Sequence, residues 1–106
     1  MKRAVVFHRD ADEDLNDIAG WITEQASATT ARNYAARIRK FCSRFDIFPE
    51  RGTRRDDLAP GLRTIGFEKR VTVVFTMTED TVVILRLLYG GRDVDSILAP
   101  PGEDLT

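Results

Sequence analysis

Residues 81–89 read Thr-Val-Val-Ile-Leu-Arg-Leu-Leu-Tyr. The nearly continuous apolar character of Val82–Leu88 is the pattern of a strand covered on both faces, and it predicts a central strand. Arg86 interrupts it. A charge inside such a strand needs a partner, supplied either by the chain itself or by another protein.

The other segments arrange themselves around that strand. Ala4-Val5-Val6-Phe7 is a short β-branched run and predicts a first strand. Asp10 is expected to open a helix running to about Gln25. Asp10 and Glu13 form a D-x-x-E variant of the capping box, with acids crowding the first turn. Ala11, Leu15, Ile18 and Ile22 recur at helical spacing on one face. Ser27 is the expected N-cap of a second helix. Its stripe is Ala31, Tyr34, Ile38, Phe41, Phe45 and Phe48, ended by Pro49 and Gly52. The short link predicts an antiparallel helical hairpin. Residues 50–61 are polar and bounded by Pro and Gly, so they predict a loop. Leu62–Phe67 and Val71–Met77 predict two further strands, with Thr78-Glu79-Asp80 turning the chain into 81–89.

The order is therefore β-α-α-β-β-β, an α+β fold with a helical hairpin on one face of a small, mainly antiparallel sheet. The other face would stay open, and a partner protein is a natural cover for it. A single domain over residues 1–98 with a frayed tail at 99–106 is expected.

At 106 residues and a net charge of −1, the chain is not dominated by one sign. Residues 37–70 nevertheless carry ten Lys/Arg against five acids, while residues 1–36 carry four against six and residues 71–106 two against six. A general nucleic-acid binder shows a dominant positive field. A basic patch for an acidic protein partner fits these numbers at least as well. No apolar run approaches the length of a membrane span, and the N-terminus lacks the apolar region of a signal peptide, so a cytoplasmic protein is expected. Cys42 is the single cysteine and reads as core filler. His8 stands alone and reads as a surface or capping residue. No metal and no cofactor are expected.

The landmarks, in order, resemble the ParE/RelE toxin superfamily. An acid-rich helix start leads into Asp14-Leu15-Asn16-Asp17-Ile18. The second helix closes on Phe48-Pro49-Glu50-Arg51-Gly52. Leu62-Arg63 opens one strand, and Val73-Val74-Phe75 lies in the next. The last strand and its continuation read Val83 to Asp93, with Tyr89 where the family more often has His. The resemblance covers roughly residues 3–98.

The resemblance implies a toxin of a type II toxin–antitoxin system with one of two activities. ParE-like toxins block DNA gyrase, and RelE-like toxins cleave messenger RNA on the ribosome. It also implies a cognate antitoxin, of ParD-like ribbon-helix-helix type for the ParE side. That antitoxin would form a hetero-oligomer with the toxin and alone contact operator DNA. A homologue that only binds antitoxin and is not toxic is a third reading.

RNA cleavage needs a base, an acid and cations around the phosphate. Ile65 and Thr72 stand where RNA-cutting relatives tend to be basic, which favours the gyrase-directed reading and a protein that catalyses no reaction. Arg63, Arg86, Tyr89 and Arg92 would cluster at one end of the sheet in the endoribonuclease alternative. Trp21, Arg63, Ile65, Phe67 and Arg86 are the candidate antitoxin contacts. Tyr89, Arg92, Arg54 and Arg55 are the candidate target contacts. Trp21 has the alternative of finishing a core edge, and Arg63 and Arg86 that of snorkelling at a strand edge. Arg63, Ile65 and Phe67 share one sheet face. They are contacts if that face is open and core if it faces the helices.

Overall fold

A computed structural model describes residues 3–47, 50–90 and Ile97. The elements are β1 (Ala4–Phe7), α1 (Arg9–Gln25), α2 (Ala28–Ser43) with a 3-10 turn at Arg44–Asp46, β2 (Thr53–Arg54), β3 (Arg63–Phe67), β4 (Val71–Met77) and β5 (Thr81–Tyr89). The expected order holds, with one addition. Two residues of the supposed loop, Thr53 and Arg54, pair antiparallel with Thr64 and Arg63. No apolar alternation announces so short a strand. Its position depends on Gly52, whose φ of +69° admits the turn into it.

The helix caps divide. Ser27 caps α2 as expected, its hydroxyl accepting from the Thr30 N–H. At α1 the cap is His8 and not Asp10. The His8 Nδ1 accepts from the Asp10 N–H at 3.0 Å, so the cap sits two residues earlier and the helix begins at Arg9. An imidazole nitrogen can serve where an Asp oxygen usually does, because both are acceptors within reach of the same orphan donor.

The sheet order is β1-β5-β4-β3-β2, with β1 parallel to β5 and the other pairs antiparallel. The helical hairpin packs on one face. Ala11, Leu15, Ile18 and Ile22 of α1 and Ala31, Tyr34, Ile38 and Cys42 of α2 meet Phe67, Val71, Val73, Phe75, Val82, Ile84 and Leu87 of the sheet. A chain of rings knits the layers. Phe45 lies 4.7 Å from Phe75, and Phe41 reaches both Phe45 and Phe67. Full burial of side chains of this size contributes roughly 1.5–3 kcal/mol each.

β5 deviates from a plain strand in two ways. The register shifts between Val74 and Phe75, which pair with Arg86 and Ile84, so Leu85 is the extra residue of a bulge. Ile84 and Leu87 therefore both face the helices, while Leu85 and Leu88 face the other side. That switch explains why the run reads as continuously apolar. Second, β1 pairs only with Thr81–Ile84. Beyond Ile84, β5 has a strand on one side only among the described residues, so the expected central placement holds for its first half.

The second sheet face is not left bare. The segment 55–62 folds back over it, and Leu58, Ala59 and Leu62 pack on Val74, Leu85 and Leu88. The chain thus covers part of the face that was expected to need a partner. The tail at 99–106 lies outside the described residues.

Candidate partner-binding site

The free half of β5 faces one flank of α1. Asp14, Ile18 and Trp21 stand at i, i+4 and i+7, with Asp17 beside them, so a single helical face carries all four. Together with Leu87 and Tyr89 they line a cavity of about 350 Å³. The mismatch between four-residue β1 and nine-residue β5 creates this opening.

Asp14 organises its base. The residue is 8% exposed. It accepts from Arg86 Nε at 2.7 Å, from Arg86 Nη2 at 3.0 Å and from the backbone N–H of Leu87 at 2.9 Å. The last bond replaces the ladder bond that a longer β1 would have made. The fork-to-carboxylate geometry is the strong form of the ion pair. It holds the Arg86 guanidinium above its ordinary pKa, against the opposing effect of burial. The charge inside the apolar strand is therefore paired within the chain.

Trp21 leans on Tyr89, with ring centroids 5.1 Å apart at 53°. Trp21 stays 47% exposed, so it only partly finishes a core edge. Arg70 Nη1 donates to the Tyr89 hydroxyl at 3.4 Å, and that bond raises the Arg70 pKa. Arg70 ends the turn between β3 and β4, where Glu68 and Lys69 both have positive φ. Arg37 of α2 holds Glu68 through a two-pronged ion pair, pulling the Glu68 carboxyl below its usual range. On this side of the Trp21–Tyr89 pair a second groove runs past Gln25, Tyr34 and Arg37.

The remaining candidates are dispersed. Arg63 pairs across the sheet with Phe75, whereas Tyr89 pairs with Val71. Four residues of β4 separate those levels, about 13 Å along the strand. Arg63 donates instead to the Arg51 carbonyl. The expected cluster of Arg63, Arg86 and Tyr89 at one sheet end does not form, and Arg92 lies outside the described residues. Phe67 belongs to the core under the helices, and Ile65 packs against that core. The face they share is the one toward the helices; Phe67 is core there, while Ile65 stays half-buried. Phe67, 7% exposed, has almost no surface left for an antitoxin. Arg54 and Arg55 sit on the outer strand and the following turn, paired with Asp56 and Asp57 at 2.9 Å each.

Asp14, Asp17 and Arg70 were not among the sequence candidates. Asp14 and Asp17 share a helical face with Trp21, which is a readable signal. Arg70 follows a turn whose geometry no sequence pattern announces. Among the described residues no group of His, Cys, Asp and Glu is arranged to hold a metal, and no helix is long and apolar enough to cross a membrane.

Comparison with known proteins agrees with this architecture. Residues 5–94 match the family model described as the ParE toxin of the type II toxin–antitoxin system parDE. The chain is similar to Toxin ParE3 of Caulobacter vibrioides, with 34% identity over 86 residues, covering 81% of this chain and 85% of that one. In fold it resembles a chain of the chromosomal ParDE toxin–antitoxin system of P. aeruginosa, with a TM-score of 0.73 at 20% identity, covering 83% of this chain and 96% of that one.

Proposed function

The chain belongs to the ParE toxin family of type II toxin–antitoxin systems, and from that premise we propose that it inhibits DNA gyrase and is neutralised by a ParD-like, ribbon-helix-helix antitoxin. The observation that carries the choice of target is the engagement of Arg86 by Asp14. Phosphoryl chemistry on RNA requires cations free to meet developing charge beside an acid and a base. Here the strand arginine is spent on an internal carboxylate, and Arg63 is bound at the far end of the sheet. Only Arg70 reaches the Tyr89 hydroxyl among the described residues. The same positions suit a protein that acts by binding.

Contacts to the target are assigned to Tyr89, Arg92, Arg54 and Arg55. Contacts to the antitoxin centre on Trp21, the exposed aromatic of α1, since aromatic anchors dominate such interfaces. A solved ParDE relative of the same fold supports a partner of that kind. The protein would act in the cytoplasm, where gyrase works.

The test is expression without antitoxin, joined to a supercoiling assay with purified gyrase. Growth arrest with a DNA-damage response and loss of supercoiling is expected. Site-specific cuts in messenger RNA on translating ribosomes, abolished by Tyr89→Phe, would overturn the proposal. Absence of any arrest would favour a homologue that only binds antitoxin.

A further inference from the structure

The cavity between α1 and the free half of β5 combines two features that no structural role explains. Its rim carries the Trp21 and Tyr89 rings, tilted at 53° to each other. Its wall carries Asp17, an exposed acid with no ion-pair partner among the described residues. The floor is Ile18 and Leu87, beside Asp14. Two electron-rich faces and an unpaired carboxylate around an apolar floor are the components of a site for an organic cation.

We propose that this cavity binds the cationic side chain, arginine in preference to lysine, of a partner polypeptide. Charge complementarity decides the occupant. Asp14 is already neutralised by Arg86, so the incoming charge meets Asp17. An anionic ligand would gain nothing there, and Arg70 lines the neighbouring groove. An arginine stem lies along Ile18 and Leu87, its plane stacks on the rings, and its fork meets the carboxylate. An ammonium offers the charge but neither the plane nor the fork. About 350 Å³ is at the lower end of ligand cavities and suits one side chain better than a larger molecule. The site goes beyond the gyrase reading and does not depend on it.

Trp21 is the single tryptophan of the chain and lines both this cavity and the groove beside it, so its fluorescence and indole N–H resonance report binding here and Asp17, which lines this cavity and not that groove, assigns it. The probe is the blocked tripeptide acetyl-Ala-Arg-Ala-amide, with its citrulline, lysine and glutamate twins. Saturable perturbation of Trp21 is expected for arginine, weaker for lysine and absent for citrulline and glutamate. Asp17→Asn should weaken arginine binding about tenfold, the loss of one charge-assisted contact. Glu79→Gln, in the turn at the other end of the sheet, should leave it unchanged. Circular dichroism and thermal melting confirm folding, and Asp17 is exposed on a helix, so the variant retains the fold. Equal binding of the arginine and citrulline peptides, or equal weakening by Glu79→Gln, overturns the proposal. So does a requirement for Arg92→Ala before any peptide binds, because the cavity would then hold the chain's own side chain. Because purified protein and synthetic peptides suffice, a failure of the gyrase reading leaves this result standing.

Discussion

The Asp14 carboxylate takes both prongs of the Arg86 guanidinium and the Leu87 N–H, tying the middle of α1 to the strand edge that β1 leaves uncovered. Breaking a buried pair by removing one member strands the other, at about 3–5 kcal/mol. Asp14→Ala should therefore lose that much in urea unfolding. The double variant with Arg86→Met should lose clearly less than the sum of the singles, with a coupling of roughly 1–3 kcal/mol. Additive losses would show that the pair is not the unit.

Gly52 is the hinge into β2. A Cβ added there would run into the Thr64 carbonyl oxygen, at a φ of +69°. Backbone cannot yield as a flexible side chain can. Gly52→Ala is predicted to lose at least about 2 kcal/mol and to unprotect the amides of Thr53 and Arg54 in hydrogen exchange. Unchanged protection would contradict the assignment of β2 as a paired strand.

Tyr34 is the second stripe residue of α2, and its hydroxyl is buried with no hydrogen-bond partner among the described residues. Burial is the first cause of its raised pKa. An unsatisfied hydroxyl is a net loss to the folded state, and the ring itself packs edge-on against Phe67. Tyr34→Phe should thus be neutral or more stable by up to about 1 kcal/mol. Destabilisation beyond that range would reveal a partner for the hydroxyl.

Cys42 is fully buried, and burial pushes its thiol from 9.0 up to about 12. The native state therefore keeps the proton when the unfolded chain releases it. The stability this contributes is complete below pH 9 and is lost as pH climbs toward about 12. At pH 8 iodoacetamide should label native protein only at the rate of unfolding, and urea should abolish the protection. Rapid native labelling would contradict the packing of α2.

Arg54 is exposed and pairs with Asp56 at the surface. Such pairs are worth about 0–1 kcal/mol. Arg54→Ala should hold the melting temperature nearly constant while weakening gyrase inhibition about tenfold, as loss of one contact would. A variant with full inhibitory activity would remove Arg54 from the target surface.

Much of the fold was legible because burial imposes period on sequence. Val71–Met77 and Thr81–Tyr89 appear with the bounds their apolar patterns predict, and the Ser27 cap stands where a hydroxyl precedes a helical stripe. The site was less legible. Trp21 and Arg86 were singled out for being an aromatic at a face border and a charge in an apolar run. Asp14 read as a first-turn acid, since nothing local distinguishes a carboxylate that neutralises the helix dipole from one that reaches a strand. Arg63 and Tyr89, each a reasonable site residue alone, were placed together only by assuming a register.

By itself the sequence determined the β-α-α-β-β-β order, the helical hairpin and the need of Arg86 for a partner, because these follow from local period and from the penalty on buried charge. Only the tertiary structure decided that the partner is Asp14, 72 residues away. It alone put Ile65 and Phe67 under the helices and separated Arg63 from Tyr89. Those outcomes depend on strand pairing, on the bulge at Leu85 that reverses which side chains face inward, and on the early end of β1. Such properties are set by distant segments meeting, and no short window of sequence contains them.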